Sequence, residues 1–210
     1  MKNLLLTLGI GSLMTFGVVS CTNSAGSFSG AWSGRPEKIA YPSEGIEVVM
    51  SPTMTLTPGE NNGGTVLFSG LLSGSQPVSP DPSGADVNID SIPVLDPYEI
   101  SIAGTYSVSG TYSFKNSERE EMLIDLDYST LEVKVDPEAV TYTNNQITET
   151  QQPVVQQLNE KAVLVWKNSM TRALSSYFTD FSLLDDVKVK DGVMSFEVKD
   201  KDYIYTAVKK

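Results

Sequence analysis

Side-chain polarity along much of this chain alternates with a period of two, and that pattern restricts it to strands with one dry face and one wet face. From Tyr98 to Val108, the residues Tyr98, Ile100, Ile102, Gly104, Tyr106 and Val108 fall on one side. Glu99, Ser101, Ala103, Thr105 and Ser107 fall on the other. The same alternation recurs at Met122/Ile124/Leu126, Leu131/Val133/Val135, Val140/Tyr142, Val187/Val189 and Met194/Phe196/Val198. Glu132, Lys134, Asp136, Lys188 and Lys190 complete the polar faces. Asp191-Gly192 separates two such runs and suits a tight hairpin, whose two central residues need positive φ. A second reversal at Lys199 to Asp202 leads into Tyr203–Val208, so the chain is expected to close as a three-stranded meander. Earlier strands are expected at Phe28–Ser33, Ile46–Met50, Thr53–Thr57 and Thr65–Gly70, for about ten in all. Gly104 and Gly110 lie inside strand patterns, where glycine marks the bulges and sharp coiling that barrels use to curve.

Two stretches break the rhythm. Gly74 to Pro97 holds Pro77, Pro80, Pro82, Pro93 and Pro97, five of the eleven prolines, and reads as a long loop. From Pro153 to about Thr179, Val155, Leu158, Ala162, Trp166, Met170, Ala173 and Tyr177 recur at helical spacing. Pro153 suits a first helical turn. The run Ala162–Trp166 would also fit a strand. The apolar face of this helix is expected to pack on the outside of the sheet. The few cations, Lys161, Lys167 and Arg172, do not make the basic face of a membrane-surface helix.

The first twenty residues are different in kind. Lys2 precedes an apolar run from Leu4 to Val19 that is interrupted by Gly9, Gly11 and Gly17, the form of a secretory signal. It is short of the ~20 apolar residues of a comfortable spanning helix. Val18-Val19-Ser20-Cys21 closely resembles the bacterial lipobox. The resemblance implies cleavage before Cys21 and acylation of that residue, which would tether the protein to a bilayer. The alternative is an ordinary Cys21 thiol behind a plain secretory peptide. Two or more acyl chains make such an anchor stable where one does not. Residues 22–27 then form a flexible tether, and residues 28–210 a single domain. No acid occurs between Cys21 and Glu37. Bacteroidetes-type lipoproteins carry an acidic surface-export tag at this point, so its absence leans toward a periplasm-facing position on the outer membrane.

Composition narrows the chemistry. Residues 1–20 contain one Lys and no acid, so the mature chain is more negative than the full chain, at −12 against −11. Such a surface repels nucleic acid and anionic lipid. There is no His, and the one Cys is Cys21. Ser-His-Asp and Cys-His catalysis, zinc sites and His-ligated haem are therefore excluded from the mature domain. No catalytic residue, cofactor or metal site is expected.

The acids suggest no centre. Glu118, Glu120, Glu121, Asp125 and Asp127 cluster in sequence, but on a turn and an outward strand face. Asp86-Val87-Asn88-Ile89-Asp90 copies the opening of a calcium loop, then fails at Ser91 and Pro97 where Gly and Glu are needed. Asp81, Asp86, Asp90 and Asp96 could gather a cation only by another geometry. Tyr98, Tyr106, Tyr112, Phe114, Tyr128 and Tyr142 lie on the apolar phase of their strands. They make core in a packed sandwich, or line a cavity in a barrel of eight or more strands.

Gly30-Ala31-Trp32, opening the first strand, resembles the lipocalin G-x-W signature, in which the Trp closes the narrow end of an antiparallel barrel. Leu126-Asp127-Tyr128 is similar to the second lipocalin motif, T-D-Y, with Leu in place of Thr. The family's third motif is an Arg packed over the Trp, and the only late Arg here is Arg172 in the expected helix. Three strands follow that helix where the family has one. Gly104–Gly110 is similar to strands of lipocalin-like lipoproteins of Bacteroidetes. The resemblance implies a mainly β chain, an antiparallel barrel with one long helix before a C-terminal meander. It also implies a small apolar ligand near Trp32, Tyr98, Tyr106, Tyr112, Phe114 and Tyr128.

The expected function is a non-catalytic envelope lipoprotein holding a small hydrophobic or envelope-derived ligand, with the 74–97 loop near the mouth. Two other readings stand beside it. One is a structural, inhibitory or protein-docking lipoprotein without a cavity, and the other a carboxylate-only hydrolase.

Overall fold

A computed structural model describes residues 28–41, 46–60, 62–78, 97–116, 118–137, 141–142, 148–149 and 151–208. Ten strands and one long helix occur among them: β1 (Gly30–Gly34), β2 (Glu37–Tyr41), β3 (Ile46–Pro58), β4 (Gly63–Val78), β5 (Tyr98–Phe114), β6 (Met122–Val135), β7 (Thr141–Tyr142), α1 (Gln152–Thr179), β8 (Leu183–Lys190), β9 (Val193–Val198) and β10 (Lys201–Ala207). All recorded strand pairs are antiparallel. The order β1-β10-β9-β8-β6-β5-β4-β3, with β3 pairing back onto β1, closes the sheet into a ring. The alternating residues share its inner face: Ile100, Ile102, Tyr106 and Val108 on β5, and Met194, Phe196 and Val198 on β9, are buried. Asp191 (φ 52°) and Gly192 (φ 77°) make the hairpin between β8 and β9, and β8, β9 and β10 form the expected meander.

Three differences from the sequence reading have identifiable physical causes. Residues 46–58 are one strand, not two, because Pro52 falls where β3 changes partner. On that edge β2 pairs Ile46–Met50 and β1 pairs Thr53–Leu56, so Pro52 faces no neighbour that needs its missing N–H. Residues 74–78, expected in the long loop, extend β4 along β5 as far as the Val78–Tyr98 pair. Among the described residues the pairing to β3 ends at Gly74, so Pro77 faces no described strand on that side, and proline is tolerated where no ladder partner needs its N–H. The rest of that loop, with Asp81, Asp86, Asp90 and Asp96, lies outside the described residues.

The third difference is in β6. Its register against β5 slips between Ser107–Glu132 and Ser109–Asp127, which makes a bulge at 128–131. The Asp127 carboxylate accepts from the Ser129 amide (3.0 Å) and hydroxyl (2.6 Å). The Thr130 hydroxyl accepts from the Ser109 amide at 2.9 Å. The bulge turns Tyr128 outward, 40% exposed, so it does not line the interior as the alternation implied.

The helix is also placed differently from expectation. β6 meets β8 only at Met122–Leu184 and Leu123–Leu183, while β4 and β5, of 16 and 17 residues, far outrun β9 and β10. α1 packs against β2, β4 and β6, so it covers edges that the short strands leave unpaired. Its apolar stripe, Val155, Ala162, Trp166, Met170, Ala173, Leu174 and Phe178, is buried. Phe178 stands 4.9 Å from Phe68 of β4 and 5.8 Å from Tyr106 of β5, ring centroid to centroid. The helix therefore packs on the inner face of the sheet and not on its outside. Ala162–Trp166 is helix within α1, and Leu164 (59%) and Val165 (43%) are on its exposed side. A short 3-10 turn, Asp180–Ser182, carries the chain into β8 and buries Phe181. Among the described residues no helix is long and apolar enough to cross a membrane, which says nothing about strands.

Candidate functional site

The first half of α1 has a second face. Gln152, Gln156, Asn159, Glu160 and Val163 recur at steps of three and four, so they share one side of the helix. The end of β6 runs past that side, and between them opens a groove of about 770 Å³. Val135 and Pro137 form one wall, and Pro153, Val155 and Val163 the other. Gln152, Gln156, Asn159 and Glu160 supply the polar rim. The Asn159 side-chain oxygen Oδ1 accepts a 2.8 Å hydrogen bond from the Tyr98 hydroxyl, which fixes the helix to the start of β5. The Gln156 amide donates to Glu160 at 3.2 Å. Among the described residues Glu160 is the only charged one on the lining, so this surface suits an uncharged apolar molecule oriented by side-chain amides.

The residues singled out from the sequence divide among four places. Tyr98 braces the groove through Asn159. Trp32 is 3% exposed, and its indole N–H donates to the Phe28 carbonyl at 3.0 Å. Phe28 meets Phe114 at 4.8 Å, and Phe114 meets Tyr112 at 5.8 Å. This aromatic group sits near the turn joining β5 to β6, under the Arg119 guanidinium 5.7 Å from the Phe114 ring. Tyr106 faces Phe178 inside the ring, and Tyr128 is on the surface. The structure does not bring these six around one cavity, because helix side chains occupy the space beside Tyr106. Cys21 lies outside the described residues.

The groove itself was not anticipated. Its signal was present in Gln152-Pro153-Val154-Val155-Gln156-Gln157, a helix opening that mixes valines with amides and carries no charge. What sequence lacked was the partner wall, Val135 and Pro137, because nothing local says where β6 ends relative to α1.

Charged groups elsewhere pair on the surface. Glu121 meets Lys115 at 2.6 Å and Glu132 meets Lys134 at 3.0 Å, both largely in solvent. The two Ser129 hydrogen bonds hold the Asp127 carboxyl below its ordinary value. Among the described residues no three His, Cys, Asp or Glu side chains gather as a metal cluster. Comparison with protein-family models, with curated proteins and with solved structures gives no match.

Proposed function

We propose that this chain is a lipid-anchored, non-catalytic binding protein of a bacterial cell envelope, lipocalin-like in its barrel, that holds an uncharged apolar ligand beside α1. The observation that carries this reading is the groove of about 770 Å³, walled by Val135, Pro137, Pro153, Val155 and Val163. Ligand sites commonly enclose about 300–1,000 Å³ of mostly apolar surface with a few placed polar groups. The Val18–Cys21 box supports acylation at Cys21 and attachment to the outer membrane. The negative charge argues against nucleic acid as a partner, and the absence of His removes the commonest general base.

The ligand seat in this reading is the groove and not the ring interior around Tyr106 and Tyr112. A docking role is favoured by one observation, the exposed Leu164 and Val165 on the outer side of α1. Mass spectrometry of organic extracts from protein purified out of its native envelope distinguishes the two. A stoichiometric, uncharged apolar molecule is expected. An empty extract from folded protein would leave the docking reading in its place.

A further inference from the structure

The strand wall of the groove carries backbone groups as well as side chains. β6 lies against β5 with Val135 opposite Gly104. Just beyond, the Asp136 amide donates to the Ala103 carbonyl at 3.2 Å. In an antiparallel ladder, pairs that exchange hydrogen bonds alternate with pairs whose N–H and C=O groups point away from each other. Asp136 bonds Ala103, so Val135 turns its N–H and C=O away from β5, towards α1. On that side β8 pairs β6 only at Met122 and Leu123, at the far end of the strand. Among the described residues no strand pairs Val135 there.

The helix does not take that strand's place, because an α-helix spends its own N–H and C=O groups on internal bonds. Beside Val135 the groove of about 770 Å³ keeps the helix side chains back. A guest that filled this space with carbon alone would displace water from the Val135 amide and carbonyl and leave both unpaired, at a cost of about 1–3 kcal/mol for each group. A guest with a peptide backbone answers both.

Length and rim agree with such a guest. From Pro153 to Val163 the helix wall runs about 15 Å, the span of about four to five extended residues at roughly 3.3 Å each. Across from Val135 stand the side-chain amides of Gln156 and Asn159. Asn159 gives its oxygen to Tyr98 and Gln156 gives its N–H to Glu160. Among the described residues this leaves an amide donor on Asn159 and a carbonyl acceptor on Gln156, the two groups that a peptide edge requires. Charge sets the composition. The one charged residue in the described lining is the carboxylate Glu160, in a chain of net charge −11, so an acidic guest is disfavoured.

Resting on the reading of the groove as the ligand seat, we propose that its ligand is a short, uncharged, extended peptide. One of its residues exchanges an N–H···O=C pair with Val135, adding a strand to the open side of β6, and its other edge meets Gln156 and Asn159.

The test is amide-detected NMR of the detergent-solubilised full-length chain, titrated with the blocked peptide acetyl-Ser-Val-Thr-Val-Ser-amide. Two isomers of that peptide carry a methyl group on the backbone nitrogen of the second or of the third residue, whose N–H groups point to opposite edges of a strand. Decanol serves as the probe without a peptide group. Saturable binding of the parent peptide is expected, with hydrogen exchange at the Val135 amide slowed about tenfold in the complex. The two methylated isomers are expected to differ about tenfold in affinity, equivalent to about 1.4 kcal/mol. Equal affinities of the two isomers, or unslowed exchange at Val135 in the complex, would overturn the proposal. Saturable decanol binding with no peptide binding at millimolar concentration would overturn it while leaving the groove as a seat for apolar molecules. Failure of both probes would remove that seat as well.

Discussion

Replacing Phe178 with Ala tests whether α1 is part of the interior. Phe178 is 2% exposed and packs on Phe68 at 4.9 Å, Tyr106 at 5.8 Å and Phe181 at 5.8 Å. Phe→Ala in a packed core costs about 3–5 kcal/mol through lost transfer energy and the cavity left behind. Each well-placed aromatic contact adds about 0.5–1.5 kcal/mol beyond area alone. Three such contacts from separate elements place the expected loss in the upper part of the range, about 4–5 kcal/mol. Leu164→Ala is the control: Leu164 is on the same helix but 59% exposed, and its loss should stay within about 0.5 kcal/mol. Urea unfolding followed by circular dichroism gives both values from midpoints at unchanged slope. A loss below about 1 kcal/mol for Phe178→Ala would refute the interior placement of the helix. Equal losses at the two positions would refute it as well.

Three further perturbations have defined outcomes. Trp32→Ala removes a 3% exposed indole bonded to Phe28 and should cost about 3–5 kcal/mol by denaturant unfolding; a loss below about 1 kcal/mol would remove the main support for the G-x-W likeness. Gly34→Ala should cost about 1–3 kcal/mol by the same assay, because the new Cβ would lie 2.7 Å from Tyr205 Cζ and 2.9 Å from Pro52 Cγ; an unchanged midpoint would mean that Tyr205 can move. Burial, ahead of neighbouring charge, raises Tyr106, Tyr177 and Tyr205 above the ordinary value of 10.0. Their raised values mean that the stability they contribute is full below pH 10.0 and falls as pH rises towards the folded values. The slope is about 1.4 kcal/mol per pH unit for each phenol. Absorbance at 295 nm should show these three ionising only as the near-ultraviolet dichroism collapses; complete tyrosine ionisation with that signal intact would contradict the placement.

The strands were readable because alternation is a local property, and β5, β9 and the Asp191-Gly192 turn follow it closely. Prolines misled for a nonlocal reason. Pro52 and Pro77 break a strand only where a neighbour needs their N–H, and the edges that spare them depend on where β1, β2 and β3 end. The β6 bulge depends on Asp127, Ser129 and Thr130 closing a local hydrogen-bond set, which reverses the face of Tyr128 without altering the hydrophobic pattern. Helical spacing marked Trp166 and Met170 as buried. It did not say which side of the sheet they meet, since either side would bury the same stripe. The groove joins residues from distant segments, Val135 with Val155. No local pattern encodes it.

The groove is tested by methyl NMR of the chain during titration with decanol, an uncharged apolar probe. Saturable shifts at Val135, Val155 and Val163 are expected, while Val66 and Val108, buried on the inner face of the ring, stay fixed. Shifts at Val66 and Val108 with the groove valines unmoved, or no saturable shift at any of the five, would contradict the binding function proposed for this chain.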